Sequence, residues 1–233
     1  MKLLQLLAAL FLVTGSTECL KAQNPLSQES QFEVGISYIR PYFISGKELV
    51  RAADLRQSGL SYYANDNGLR KNVGAYSVSS GQSIFVGFYK PVKVVKGLML
   101  GALVRNAQTG SSPSNGGYEE AYFFNFITAG MVAKYYPFEN NNMYVKTDVG
   151  LASVLTKNRF INSSNEQNFF HQFGIGIAGG FETGYSLELS KSKKYLVELK
   201  AGYQIANTRV EVNTIGDDNW RFGALYFGSS FNF

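Results

Sequence analysis

Cysteine is all but missing from this chain. Cys19 is the only one, and His171 and Trp220 are likewise the only residues of their kinds. One thiol cannot make an internal disulfide framework or a multi-cysteine zinc site, and any histidine-based catalysis would have to use His171. Proline is also scarce, at 5 of 233 residues. After residue 13 no apolar run approaches the roughly 20 residues that a membrane-spanning helix needs. Lysine and arginine never gather into a basic stripe, so the modest positive charge of +5 predicts no nucleic-acid partner.

The first residues have a composition of their own. Lys2 precedes an apolar run over 3–13, broken only by Gln5, and a polar stretch follows that ends at Ala22, a residue suited to the position before a cleavage point. We expect residues 1–22 to be a secretory signal peptide and 23–233 to form one domain. Cys19 then leaves with the leader. Glu18 stands where lipid attachment to Cys19 would need a small residue. Removing Lys2, Lys21 and Glu18 from the 22 basic and 17 acidic residues leaves 20 and 16.

What remains is rich in aromatics and glycine: 18 Phe, 15 Tyr and 24 Gly. With no second long hydrophobic run, such a chain is unsuited to crossing a membrane as helices but suited to crossing as a barrel. Period-2 alternation supports this reading. Eight alternating segments are predicted, at 31–44, 82–90, 98–106, 121–136, 143–156, 172–189, 195–206 and 220–233. The fifth sets Val145, Thr147, Val149 and Leu151 against Lys146, Asp148, Gly150 and Ala152, an apolar-out, polar-in pattern. Connections alternate too. Those after odd segments are long (45–81, 107–120, 157–167, 207–219) and those after even segments short (91–97, 137–142, 190–194). Short periplasmic turns and longer extracellular loops are the habit of outer-membrane barrels. The predicted fold class is all-β, an eight-stranded antiparallel up-and-down transmembrane β-barrel with both termini periplasmic.

Within "QFGIGIAGGFETGYSLEL", Gly174, Gly176 and Gly179 spell the G-x-G-x-x-G of dinucleotide-binding turns. That motif needs a strand ending at the first glycine and a helix starting near the last. No helical period follows. In a narrow barrel the interior has little room, and Gly174, Gly176, Ala178, Gly180 and Gly184 fall in one phase as small inward residues.

The chain closes with "LYFGSSFNF", whose outward phase contains Leu225, Phe227, Ser229, Phe231 and a terminal Phe233. This resembles the last strand of bacterial outer-membrane proteins, and with the leader and the strand pattern the chain is similar to the small OmpA/OmpX-type barrels. The resemblance implies an assembly signal in Phe227, Phe231 and Phe233 that engages the barrel-insertion machinery. It also implies residence in the cell outer membrane, among lipid and lipopolysaccharide. Ser229 departs from an all-apolar phase, and the first loop is long for the simplest members.

Candidate chemistry is sparse. Taking the charged phase as inward places Glu33, Arg105, Lys146, Asp148, Glu182, Glu198 and Lys200 in the lumen, either as a structural plug of ion pairs or as a narrow polar path. His171 shares the outward phase of Phe169 and Phe173 and is expected at the membrane interface. No nucleophile and base stand at a catalytic spacing near it, so no catalytic residue is assigned. The stretches "NDNG" (65–68) and "GDDN" (216–219) read as turns without the spaced carboxylates of a calcium loop, and Asn162-Ser163-Ser164 carries no weight as a glycosylation sequon. Lys90, Lys93, Lys96, Lys191, Lys193 and Lys194 flank short turns, where they would meet lipid phosphates or an acidic periplasmic partner. The expectation is a non-enzymatic barrel without cofactor or metal, acting as an envelope scaffold or through its extracellular loops toward a protein partner. The alternatives are a porin-like small-solute pore and a lipid-acting enzyme that would need His171.

Overall fold

The structure is a computed structural model in which residues 29–45, 80–111, 114–115, 118–138, 141–161, 167–189, 195–212 and 216–233 are described. These form nine strands: β1 (Gln31–Ser45), β2 (Gly81–Pro91), β3 (Leu98–Ser111), β4 (Ser114–Asn115), β5 (Tyr118–Tyr135), β6 (Met143–Ile161), β7 (Gln167–Glu188), β8 (Leu196–Val212) and β9 (Gly216–Asn232). The two-residue β4 only extends the ladder at the start of β5. The other eight make the wall, each pairing antiparallel with its sequence neighbour, and β1 with β9 closes the circle. Closure leaves no long open edge, the condition under which strands can cross lipid with their backbone groups paired.

All eight predicted segments are strands, and most run further than periodicity foretold. β3 continues to Ser111, β6 to Ile161 and β8 to Val212, while β7 starts at Gln167 and β9 at Gly216. Hydrophobic alternation marks a strand only where one face meets lipid. Past the lipid belt the outward residues turn polar, as at Asn207, Arg209 and Glu211, while inward Thr208 and Val210 stay buried, so the apolar-out signal is lost while the backbone ladder goes on, as in Lys157↔His171 and Glu211↔Asp217. "GDDN" is accordingly the start of β9 and not a turn. The expected leader with Cys19, "NDNG", the 162–164 stretch, and Lys191, Lys193 and Lys194 lie outside the described residues.

The glycine-rich segment is the middle of β7, with no helix after it. Its glycines make room. Gly184 faces Tyr144 across the β6–β7 ladder, and a Cβ there would come within 2.5 Å of that tyrosine's Cζ and Oη. Gly202 stands in the same relation to Tyr226 across β8–β9. Each glycine thus lets a large inward ring lie flat over the neighbouring strand.

The turn between β2 and β3 (92–97) and the connections over 136–142 and 189–195 share one end of the barrel with Gln31 and Phe233, and the longer connections share the other. With the loop end outside, a cysteine at Ser58 is expected to react with a membrane-impermeant maleimide on whole cells. A cysteine at Val94 or Lys193 should react only after the envelope is opened. The reverse pattern would invert the topology.

Candidate functional site

Inward side chains fill the barrel in three layers. At the loop end Ile39, Phe124, Phe126, Val154, Trp220 and Phe222 are buried in one apolar cluster. Phe126 stacks on Phe222 with ring centroids 4.2 Å apart, and Phe124 meets Trp220 edge-on at 6.1 Å. At the turn end Tyr89, Met99, Val132, Tyr136, Tyr144 and Leu196 form a second cluster. Between them lies a layer of charge.

The structure places all seven predicted lumen residues inside the wall and brings them together. Lys146 Nζ lies 2.6 Å from Glu182 and 3.5 Å from Glu33. Lys200 contacts Glu33 directly and stands 3.5 Å from both Glu182 and Glu198. Arg105 Nη2 is 3.7 Å from Asp148. The carboxylates accept further hydrogen bonds from hydroxyls. Tyr144 and Tyr226 donate to Glu182 at 2.9 and 3.0 Å, Ser230 to Glu33 at 2.8 Å, Ser186 to Glu198 at 3.0 Å, and Tyr89 to Glu33. Tyr226 also belongs to the loop-end cluster and Tyr144 to the turn-end one, so the ionic layer is joined to both.

Sequence reading missed one member. Lys134, fully buried on β5, pairs with Glu198 and donates to Gln31 Oε1 at 3.3 Å. It sits among the rings of Tyr89, Tyr136 and Tyr144, 4.5 Å from the last ring's centroid. Periodicity hid it because Tyr122, Phe123 and Phe124 within β5, and Tyr135 with the following Tyr136 at its end, are aromatic in both phases. The signal was Thr128 and Gly130, the small or polar positions of that strand, which are in phase with Lys134. With Lys134 the layer holds four cations (Arg105, Lys134, Lys146, Lys200) and four carboxylates (Glu33, Asp148, Glu182, Glu198). A neutral set with several hydrogen bonds to each glutamate is what buried ions require, since desolvation otherwise outweighs attraction. Lys134 and Lys146 are directly opposed across β5–β6. That pairing would be repulsive without Glu33, Glu182 and Glu198 beside it.

The phenyl ring of Phe85 lies at the heart of the layer. Its centroid is 4.6 Å from the Lys200 ammonium, 5.5 Å from that of Lys146 and 5.9 Å from the Arg105 guanidinium. A ring face is a site that cations favour and that holds no water. It was not among the sequence candidates because β2 is apolar on both faces.

The outside is the inverse of the inside. Met131, Leu151 and Ile177 are 72, 67 and 66% exposed, and every wall strand adds apolar residues to the same belt. A water-soluble protein does not leave so large a contiguous apolar surface bare. His171 is exposed on β7, opposite Lys157, at the loop-side margin of this belt. Phe227, Phe231 and Phe233 all face outward, and Phe231 and Phe233 gather with Phe32 and Tyr195 at the turn-end rim, ring centroids 5.2–6.0 Å apart.

No protein-family model matches the chain, and no curated protein does. Among solved structures it is similar to Ail, the attachment invasion locus protein of Yersinia pestis, at 11% identity and TM-score 0.45, over 88% of this chain and 100% of that one. Neisserial surface protein A is similar at 14% identity and TM-score 0.41, over 86% and 95%. The outer membrane protein OprG from Pseudomonas aeruginosa is similar at 10% identity and TM-score 0.42, over 92% and 99%. The assignment rests on this chain's own wall and belt. A closed antiparallel wall of eight strands, apolar outside, with short turns at one end and longer connections at the other, makes the chain a small membrane-spanning β-barrel.

Proposed function

We propose that the protein is a non-enzymatic envelope barrel that works as a scaffold, presenting its extracellular connections while its lumen stays shut. The observation that carries this reading is the layering of the interior: a neutral network of eight charged groups enclosed between two apolar clusters. A conducting path needs ions or water to pass between sites of moderate affinity. Here each carboxylate of the network is already held by cations, and Phe126, Phe222 and Trp220 pack over them. Reconstituted into a planar bilayer, the protein is expected to show no steady single-channel conductance. Stable openings, with a selectivity that changes in Glu182→Ala, would replace the scaffold by a pore. Enzymatic turnover of lipid would have to use the exposed His171, so His171→Ala is expected to leave the lipid composition of cells carrying the barrel unchanged.

A further inference from the structure

The apolar belt differs in height around the wall. On β7 its outward residues are Phe173, Ile175, Ile177, Phe181, Tyr185 and Leu187, all exposed. Only Gly179 and Thr183 interrupt them, and Thr183 turns its hydroxyl back onto the Tyr144 carbonyl at 3.1 Å. On β6 the same face runs from Met143 to Leu155, and its Thr147 likewise donates to the Gly180 carbonyl at 3.0 Å. On β2, which lies on the opposite side of the barrel from β7, the belt is short. There only Ile84, Val86 and Phe88 are apolar and outward, bounded by exposed Gln82 and Lys90. Beside β7 it also stops early, since Ile177 pairs with Asn207 of β8 and Ile175 with Arg209.

A strand rising about 3.3 Å per residue and tilted by about 40° carries the stretch from Phe173 to Leu187 over roughly 35 Å along the barrel axis, whereas the lipid-facing band of such barrels is about 25 Å tall. By the same measure the whole distance from Gln82 to Lys90 on β2 is roughly 20 Å. The β2 side therefore fits a bilayer, and the β6–β7 side overshoots it. Tilting the barrel lowers one end of a face that is too tall only by raising the other. Within lipid two apolar walls gain little by meeting, because acyl chains are as apolar as leucine. The part beyond the acyl chains would meet headgroups and water, and covering it is favourable. A neighbour covers both ends only if it is equally tall, and the same face of a second copy has that height by construction.

We propose that two copies of the chain pair through the β6–β7 wall about a two-fold axis normal to the membrane. The contact is isologous, each copy offering the same patch. Leu151 and Ile177, partners across the ladder near mid-height, lie close to the axis. Gly179, opposite Val149, has only the Asp148 carbonyl near the place of a Cβ, at 3.3 Å. It leaves a shallow dent between Ile177 and Phe181 that lets the opposing wall come close. The pairing leaves the lumen untouched and sets two groups of loop-end connections side by side.

The test uses the mature chain expected after cleavage at Ala22, which has no native cysteine. It is refolded into vesicles of short-chain or long-chain phosphatidylcholine, with closure checked by heat-modifiable migration. Förster transfer between copies labelled at their N-termini should report association in the short-chain bilayer, and several-fold less in the long-chain one, where lipid covers the whole face. On oxidation Leu151→Cys and Ile177→Cys should form disulfide-linked dimers several-fold more readily than Val86→Cys on β2. Phe173→Gln/Leu187→Gln removes apolar surface only at the two ends of the face, and should cut association in the short-chain bilayer several-fold. If that pair fails to close, Phe173→Gln alone takes its place with the same expectation. Absence of transfer in the short-chain bilayer, or transfer indifferent to chain length, overturns the proposal, as does association unchanged by the glutamine variant. Cross-linking of Val86→Cys equal to that of Ile177→Cys, or transfer with no cross-link at either β6–β7 cysteine, moves the contact to another wall and overturns this one.

Discussion

Replacing Glu33 by alanine is expected to destabilise the folded barrel by about 3–5 kcal/mol, the range for removing one partner from a buried ion pair. Glu33 is fully buried and in contact with Lys146, Lys200, Tyr89 and Ser230. Its loss changes a balanced set of four cations and four carboxylates into one with an unmatched positive charge, beside an aromatic ring and far from water. Urea unfolding of the barrel refolded into lipid vesicles would show a lowered midpoint at unchanged slope. A second variant separates charge from lost packing: adding Lys146→Met to Glu33→Ala restores three against three and should recover a good part of the loss. Glu182→Ala, which leaves Lys146 only the longer contact to Glu33 and takes away the acceptor of the Tyr144 and Tyr226 hydroxyls, should act in the same direction. A loss below about 1 kcal/mol, as for a solvated surface pair, would show that water reaches the layer and that the lumen is not sealed. Failure of the double variant to recover would assign the effect to a cavity.

The wall was legible in the sequence because a barrel strand writes its two environments into alternate residues. Strands such as β6 and β8, with clean alternation of Val, Leu and Thr against Lys, Asp and Glu, declare which side is lipid. The ladder is local as well, so strand order follows chain order and only the β1–β9 closure is remote. Where both faces are apolar, as in β2, or both aromatic, as at 122–124 and 135–136 in and after β5, the code is silent. Phe85 and Lys134 were lost there. The extension of strands beyond the lipid belt was illegible for a related reason, since their outward residues turn polar there while inward ones such as Thr208 and Val210 stay buried, and the apolar-out pattern is lost. Partner identities inside the lumen depend on strand stagger, which no single strand records. Glu33 and Lys200 are 167 residues apart, and the closure of the barrel brings them together. A charge count could have been informative: three bases against four acids in a closed space implied one more base.

Deleting Phe233 is expected to remove most of the barrel from the outer membrane, and comparing two variants shows by which route. The residue ends the chain in a backbone pair with β1: its amide donates to the Phe32 carbonyl at 3.0 Å and its carbonyl accepts from the Phe32 amide at 2.8 Å. Its ring packs against Phe32 and Phe231 at the turn-end rim, half exposed toward lipid. Deletion therefore takes away both the last rung of the closing ladder and the outward aromatic of the expected assembly signal. Phe233→Ala keeps the rung and loses only the ring. In vitro, where a chain folds into detergent unaided, one rim ring is a small part of the whole wall, and Phe233→Ala should refold nearly as well as the parent. In cells the same substitution should cut outer-membrane yield several-fold, because the ring is the feature that resembles an insertion signal. Deleting one residue from 213–215, in the connection between β8 and β9 at the other end, should leave yield close to that of the parent. Matching losses for Phe233→Ala in detergent and in cells would reduce the aromatic to a packing contact, and equal yields for the two deletions would withdraw the assembly role from the last strand altogether.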